Sequence, residues 1–448
     1  MKKTIIQAAA FAIFFAAFVL AEPARAQENS PANPDVPGKP VSAQDLLNSP
    51  LYKTYTAVIK DMAPLFKVTM PLQQRVDAAG KFSFSPETKA LLKDSFGNDD
   101  PLHFTVDRQP GGETVLSTVL DSLDYKSQSG TVIHSEKANG ESVIDADFKH
   151  LKFDFVLPSV TFDTTTEPKH VQVGKFEMSG DYAVGPGNML FGKANARLDN
   201  VTVSSSDGSP ALVMRDLTVD GNTTLHNKLL FLDYDYRIAA VDWGSDKITD
   251  IRTDIGLDNI DAQALQALSA QFEGLEQIGD DRARLQAGTE LLKKLAVIAS
   301  RHNAALELRN VSAQYHGYTA GFSGKISAPN LREADFSAGD KAYQKIQLRL
   351  RFHIPMSMVD EIAHRVARAM MEAQAKQNGM EVTDMAVDLV ARGVIGKMSD
   401  ALVKQQKWAH MEKNELVTVF ELRKGKMYLD GHMVNAKSNP FMAMAQGK

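Results

Sequence analysis

Apolar and polar residues alternate along this chain from about Val115 to about Ile238. Within that region, the stretch 151–157 places Leu or Phe at every second position. A strand with one apolar face and one polar face is typical of an antiparallel sheet that is half buried. Further alternating runs cover 171–178, 194–203, 212–219 and 229–238.

The connections between these runs are short and rich in turn residues, namely Gly185-Pro186-Gly187, Asp207-Gly208 and Asp220-Gly221-Asn222. Short turns join antiparallel neighbours, whereas parallel strands need long crossovers. The pattern therefore predicts a meander. A closing hairpin is predicted where 416–422 and 427–429 flank Arg423-Lys424-Gly425-Lys426, followed by a turn at Asp430-Gly431.

A degenerate repeat lies inside the strands, at 198–203, 257–262 and 308–313, with a weaker copy at 214–219. Each copy has Leu or Met, a polar pair that ends in Asn or Asp, and then Val, Ile or Leu. Asn and Asp tolerate the backbone of a bulge or kink, so the repeat indicates a long sheet that curls. Coincidence is the alternative, because the spacing is irregular and solenoids keep a fixed period.

Other segments have apolar residues at helical spacing, while Phe82 and Phe84 stand two apart, as in a short strand. The helical positions are Leu51, Tyr55, Val58, Ile59 and Met62; Ala264, Leu265, Leu268 and Phe272; Leu285, Leu291, Leu292, Leu295 and Ile298; and, between Pro355 and Gly379, Met356, Val359, Ile362, Ala363, Val366, Met370 and Ala373. Another helix is predicted at 384–404. The helix after Pro355 has a mixed polar face, which favours packing on the sheet over lying on a membrane.

Together these patterns predict an α+β, strand-rich fold: a long curved antiparallel meander sheet with helical insertions and a C-terminal helix pair plus hairpin. The predicted segments are a signal peptide at 1–26, a flexible Pro/Asn-rich tether at 27–45, a mixed N-terminal segment at 46–114, the antiparallel sheet region at 115–262, a helical insertion at 263–304, strands at 305–354, a helix pair at 355–404, the C-terminal hairpin at 405–435 and a flexible tail at 436–448.

The first residues have the pattern of an export signal. Lys2 and Lys3 precede an apolar run at 5–20, and Ala24-Arg25-Ala26 places small residues where a signal peptidase cleaves. We therefore expect cleavage after Ala26 and a periplasmic mature chain. The alternative is an inner-membrane anchor with an uncleaved N-terminus that faces the periplasm, although the apolar run is short for a span of about 20 residues.

Composition narrows the class of protein. The 448 residues are 44% hydrophobic and 23% charged, which is ordinary for a globular chain. Removal of residues 1–26 takes away two net positive charges and lowers the formal charge from -5 to -7, so nucleic acid is not an expected partner. The absence of cysteine from the sequence excludes disulfides, thiolate metal sites and thiol catalysis.

Candidate motifs for chemistry are weak, and we predict no catalytic, cofactor-binding or metal site and no cofactor. The 11 histidines are scattered, and His134 and His150 are expected on different strands. Gly185-Pro186-Gly187 has the wrong spacing for a dinucleotide site and is interpreted as a turn. Gly321-Phe322-Ser323-Gly324 lacks the residue that separates serine from the second glycine in a nucleophile elbow.

One further strand combines acidic and aromatic residues. Asp233 and Asp235, with Asp242 beyond them, could bind calcium, but a solvated outer face is favoured because the glycine-bearing calcium loop is missing. Tyr234, Tyr236 and Trp243 are interpreted as core or cross-strand residues, with a sugar or lipid groove as the alternative.

Four features lie in the C-terminal part of the chain: the strand 305–311 that runs on to Gly321 and Gly324, the segment 354–359, the segment 389–395 and the hairpin 420–431. In these features the chain resembles the YdgA-like family of uncharacterised bacterial envelope proteins. The resemblance is best from about Leu285 to His432 and diffuse from Asp145 to Leu285, so it covers about two thirds of the predicted mature chain. It implies an envelope location and a strand-rich fold, but no reaction. Two departures are Asp430, where the family pattern favours Asn, and the cleavable leader, where the family commonly keeps an anchor. The fold also looks distantly like AsmA-type proteins associated with lipid handling, by analogy of fold only.

Three function classes follow. The favoured hypothesis is a non-enzymatic periplasmic envelope protein that binds or shields a lipid or another apolar envelope ligand in a curved sheet. The first alternative is a structural or interaction module of an envelope complex, with a protein partner and no small ligand. The second alternative is a hydrolase with an unrecognised site. Membrane association is possible without a retained span, and the oligomeric state stays open.

Overall fold

A computed structural model describes residues 50–66, 70–126, 130–164, 170–204, 207–244, 246–275, 278, 280–337, 341–378 and 381–434. The predicted signal peptide, tether and tail lie outside these residues. The chain divides into two compact units. Unit 1 comprises the residues up to Leu225 with Tyr236–Asp246 and Gln263–Arg284, and unit 2 comprises His226–Asp235, Lys247–Ala262 and the residues from Leu285 onward. None of the helices in the described part is long and apolar enough to cross a membrane.

The α-helices are interleaved with the strands along the chain. They are α1 (Pro50–Met62), α2 (Leu72–Ala79), α3 (Pro86–Phe96), α4 (Ala262–Gly274), α5 (Asp281–Arg301), α6 (Glu333–Ser337), α7 (Lys341–Lys345), α8 (Met356–Asn378) and α9 (Asp384–Ser399). Short 3-10 helices cover Ala63–Phe66 and Pro186–Asn188, and a π-helix covers Asp400–Gln405.

In the described part of the chain, 20 strands pair antiparallel wherever their register is defined, which confirms the strand-rich α+β fold with a long antiparallel sheet. They are β1 (Leu102–Arg108), β2 (Thr114–Leu120), β3 (Leu123–Lys126), β4 (Val132–Ser135), β5 (Ala138–Ile144), β6 (His150–Leu157), β7 (Val160–Asp163), β8 (His170–Val173), β9 (Phe176–Val184), β10 (Leu190–Ser204), β11 (Pro210–His226), β12 (Leu229–Trp243), β13 (Asp246–Asp261), β14 (Ala305–Tyr315), β15 (Tyr318–Ser327), β16 (Gln347–Pro355), β17 (His410–Glu412), β18 (Glu415–Arg423), β19 (Lys426–Leu429) and β20 (His432–Val434).

In unit 1 the sheet bends along a line that is marked by short breaks in its strands. Two-residue breaks at 121–122, 136–137, 158–159 and 174–175 separate β2 from β3, β4 from β5, β6 from β7 and β8 from β9. On one side of the line the order of neighbours is β1-β2-β5-β6-β9-β10, and on the other side it is β3-β4-β7-β8-β10. The same long hairpins therefore run through both halves.

Side chains from both sides of this line share one hydrophobic cluster. Leu157 lies before the break at Pro158 and Val160 after it, and both are buried with Phe162, Val171 and Met178. Residues beyond a break can turn back onto residues before it only if the sheet bends there. The bend thus buries an inner face that an unbent sheet would leave open.

In unit 2, strands β13 to β16 pair in sequence, and β18 joins β16 to β19 and β17. The repeat at 308–313 carries a bulge, because Leu308 pairs with Gly324 whereas Val311 pairs with Phe322. Asp216 and Asn259, in two other copies, have positive φ of 49° and 63°. Asn and Asp enter this region of φ more easily than other residues, which explains their place in the repeat.

The predicted hairpin is confirmed, with turns at Lys424-Gly425 and Asp430-Gly431 in which all four residues have positive φ. Such turns match the right-handed twist of the strands that they join. His432–Val434 continues the pairing as a further strand.

Two strand predictions are corrected by the structure. The sheet begins at Leu102, in β1, and not near Val115. Phe82 and Phe84 lie in the irregular connection between α2 and α3, where their rings meet edge to face with centroids 4.9 Å apart. Two residues of period two are too few to distinguish a strand from a loop that buries its aromatic rings.

Each segment with predicted helical spacing forms a helix, but α2, α3, α6 and α7 were not predicted, and the buried face of α8 was predicted wrongly. Ile362, Val366 and Met370 are exposed, whereas Ala367 is buried. Ala367 and the partly buried Ala363 and Met371 pack against Val387 and Ala391 of α9. Small alanine side chains let two helices approach closely, so α8 packs on α9 through this alanine face. Likewise, Leu285 and Leu292 of α5 are exposed.

Candidate functional site

Unit 1 contains an apolar cavity of about 350 Å³ between the sheet and the N-terminal helices. This volume lies at the lower end of the range of about 300–1,000 Å³ for small-molecule sites. Most of the residues around the cavity are apolar. They are drawn from α1, α2 and α3 with the segments next to them, and from strands β1 to β7, β9 and β10.

The sheet forms one wall of the cavity, and the alternation found in the sequence selects which side chains face it. On β2 these are Leu116, Thr118 and Leu120, and on β6 they include Phe153 and Leu157. Phe153 also stacks on Tyr182 of β9, with ring centroids 6.1 Å apart. Because successive side chains point to opposite faces of a strand, every second residue of β2 lines the cavity.

The helices form the other wall, and hydrogen bonds hold them in place. Thr54 of α1, which is fully buried, bonds Ser95 of α3 through the two hydroxyl groups at 2.8 Å. The backbone N–H of Ser85 donates to Asp61 Oδ2 at 2.7 Å, and the Ser85 side chain caps α3. Burial raises the pKa of Asp61, but hydrogen bonds from Ser85 and Thr88 outweigh that effect, and the pKa is lowered.

Most of the apolar residues around the cavity belong to three clusters or pack against them. Val58, Met62, Phe84 and Leu92 form the first. Leu72, Val76 and Ile144 form the second, with Leu116 and Leu151 packed against them. Leu157, Val160 and Phe162 belong to the large cluster at the bend of the sheet. All three clusters contribute to the cavity lining, so the cavity lies where they fail to meet.

Arg75 on α2 is a charged residue in this apolar wall. It is only 7% exposed. Its Nε and Nη2 atoms have no hydrogen-bond partner among the described residues, and no described carboxylate forms a salt bridge with it. Burial lowers the pKa of Arg75. A guanidinium in such surroundings is costly, because a buried charge without a partner loses its hydration and regains nothing.

The carboxylates near the cavity do not compensate this charge. Glu141 and Asp154 also border the cavity, but both are exposed, and neither forms a salt bridge with Arg75. Asp121 is engaged by the ring of His103 at 3.0 Å. Arg75 was not predicted as a site residue. The available signal was the helical spacing of Leu72, Arg75, Val76 and Ala79, which places an arginine on an apolar face.

A second, polar groove of about 670 Å³ lies in unit 2, lined by Tyr318, Met356, Ser357, Asp360, Glu361, His364, Ile395 and Asn414. Nδ1 of His364 bonds the backbone carbonyl of Asp360 at 2.8 Å, and Nε2 lies 3.1 Å from Asp388 Oδ1. These two hydrogen bonds raise the pKa of His364. Both ring nitrogens of His364 are thereby occupied. Neither is therefore available to act as a general base for the hydroxyl group of Ser357, which lines the same groove.

The histidines and glycine motifs considered in the sequence as candidate sites lie on different elements of the structure. His134 lies on β4 and His150 on β6, as predicted, and His150 Nε2 meets Asp181 at 2.7 Å. Residues 186–188 form a 3-10 turn, and 321–324 lie within β15. Among the described residues, no group of three or more metal-binding side chains is close enough to hold an ion.

Asp233 and Asp242 of β12 remain partly exposed to solvent, as was favoured, and they also form ion pairs. Asp233 lies 2.6 Å from Arg309, which also meets Asp254 at 3.3 Å, and Asp242 pairs with Arg215. The carboxylates are thus engaged by guanidinium groups. The core interpretation is wrong for Trp243, which is 74% exposed, and for Tyr236, which is also exposed, whereas Tyr234 is half-buried. Trp243 is the last residue of β12, where the sheet no longer covers a side chain.

Fold and cavity together define a strand-rich α+β protein with an apolar internal site. The model of a bacterial protein family of unknown function, DUF945, matches residues 76–437, and the chain belongs to this family. No curated protein and no solved structure matches the chain.

Proposed function

We propose that this protein binds a lipid or another apolar ligand in the cavity of unit 1, without catalysis. The cavity between the sheet and α1 to α3, with its largely apolar lining, is the observation that carries the proposal. Apolar lining favours apolar ligands, because transfer of a CH₂ group out of water contributes about 0.8 kcal/mol. The bend in the sheet and the three helices above it supply the enclosure that such a ligand needs.

Filling the cavity tests this proposal. Thr118 faces the cavity from β2, and Ser117, the preceding residue, points to the opposite face of the strand. We expect the Thr118→Phe protein to bind the neutral fluorescent probe N-phenyl-1-naphthylamine at least about tenfold more weakly than the unsubstituted protein. The phenyl ring would occupy space that the probe requires. Fluorescence titration gives the dissociation constants.

Ser117→Phe is the matched control, since it adds the same ring to the same strand outside the cavity. Circular dichroism of both variants verifies that the fold is retained. The proposal fails if the unsubstituted protein does not bind the probe, or if the two variants bind it equally well.

We further propose that the protein works in the periplasm, in the setting that the YdgA-like resemblance implies. The support is the leader pattern that ends at Ala24-Arg25-Ala26. Native mass spectrometry of gently purified periplasmic material should show a chain that begins at Gln27 and carries a bound small amphiphile. A chain that retains Met1, or one found only in the cytosol, would contradict this proposal.

One observation favours the alternative of an interaction module. Helices α8 and α9 expose apolar side chains that suit contact with another protein, namely Ile362, Val366, Met370, Met385, Leu389 and Val394. The same native spectrum separates the two functions. A stable protein partner with no small molecule would favour the module, and a co-purified amphiphile would favour ligand binding.

A further inference from the structure

The charge of Arg75 restricts the kind of ligand that the cavity can bind more than the apolar lining of the cavity does. Arg75 is only 7% exposed, and it lies in the cavity wall. Its Nε and Nη2 atoms have no hydrogen-bond partner within the described residues. Nothing in the packing of α2 requires an arginine there, because Leu72, Val76 and Ala79 already supply the apolar face. An aliphatic side chain would fill the same wall at lower cost.

A guanidinium is best satisfied by an anion with two oxygens in one plane. Its N–H groups form a rigid fork that binds carboxylate or phosphate through two parallel hydrogen bonds, and charge-assisted bonds of this kind are about twice as strong as neutral ones. Low polarity around the pair strengthens the attraction further. The cavity therefore has one fixed positive group that would receive an anionic headgroup.

The volume limits the apolar part of the ligand. An apolar cavity of about 150 Å³ holds one benzene molecule. On that scale a cavity of about 350 Å³ has room for roughly 14 carbon atoms, which corresponds to one acyl chain rather than the two chains of a phospholipid. From Arg75, which lies beside Leu72 and Val76, such a chain would extend toward Leu157 and Phe162 in the cluster at the bend.

We propose that the ligand is a single-chain amphiphile with an anionic carboxylate or phosphate headgroup, which Arg75 binds inside the cavity. This inference rests on the proposed function, since it assigns the chemistry of the same site. The fatty acid and the alkyl phosphate share the feature that Arg75 recognises, and their relative affinities identify the natural headgroup.

Three ligands of equal chain length test the assignment: dodecanoate, dodecyl phosphate and dodecanol, each below its aggregation concentration. We expect the full mature chain to bind the preferred anion at least about tenfold more tightly than dodecanol by isothermal titration calorimetry. Arg75→Met should bring the affinity for the anion down to that for dodecanol and leave dodecanol unaffected. Arg75→Lys should retain part of the preference, because it keeps the charge but loses the fork.

Arg197→Met is the control, since this residue is exposed on β10 and pairs with Asp216 outside the cavity. It should leave all three affinities unchanged. Equal affinity of the unsubstituted protein for dodecanol and both anions would overturn the role of Arg75 but not the apolar site. Failure of all three ligands and of the naphthylamine probe would overturn the proposed function itself.

Discussion

Arg75→Met should make the ligand-free protein more stable by about 1–4 kcal/mol, the range found when buried ionic groups are replaced by well-packed apolar residues. The Nε and Nη2 atoms of the guanidinium are buried and have no hydrogen-bond partner among the described residues. Methionine has a flexible unbranched chain of similar reach, and it suits an irregular apolar wall. Urea denaturation of ligand-free protein, followed by circular dichroism, gives the change in free energy of unfolding.

Arg197→Met is again the control, because it separates the effect of burying an arginine from the effect of removing its charge. Arg197→Met removes an arginine whose side chain is 52% exposed, and exposed ion pairs contribute about 0–1 kcal/mol, so it should be neutral or slightly destabilising. A fall in stability for Arg75→Met would contradict the prediction, since it would mean that the guanidinium makes favourable contacts in the ligand-free state. A gain would show that stability is sacrificed at this position for binding.

Leu157→Ala should reduce the free energy of unfolding by about 2–5 kcal/mol. Leu157 is fully buried at the end of β6, directly before the break at Pro158-Ser159. It joins the cluster at the bend and also lines the cavity, so its removal would enlarge an existing void. A wall that already borders empty space cannot collapse to fill the gap, which places the cost in the upper part of that range.

Leu292→Ala provides the comparison, because Leu292 is 60% exposed on α5 and its truncation should change stability by no more than about 0.5 kcal/mol. Urea titration of both variants measures the two costs. A loss below about 1 kcal/mol for Leu157→Ala would mean that the bend does not depend on this side chain.

Strands with long alternating runs were predictable from sequence, whereas short runs and helix faces were not. The run 151–157 alternates over seven residues, and β6 covers it. Phe82 and Phe84 show the same spacing over two residues and belong to no strand. On α8, the bulky apolar residues were predicted to be buried. Instead, α9 packs against Ala363 and Ala367 and leaves Val366 exposed.

The candidate site was less accessible to sequence reasoning. Each wall residue is ordinary by itself, and the cavity arises only where three clusters from distant parts of the chain fail to meet. Arg75 shows the limit most plainly. Its position on the apolar face of α2 is visible in the sequence, but whether an arginine there reaches solvent depends on the strands that cover it.

The amino-acid sequence by itself determined the strand-rich α+β class, the antiparallel pairing, the turns and helices α1, α4, α5, α8 and α9, because periodicity and turn chemistry are local properties of the chain. Only the tertiary structure decided where the sheet bends, which helix faces are covered, and that Arg75 is enclosed without a partner among the described residues. Burial and its electrostatic cost depend on atoms far apart in sequence, so they exist only once the elements have packed together.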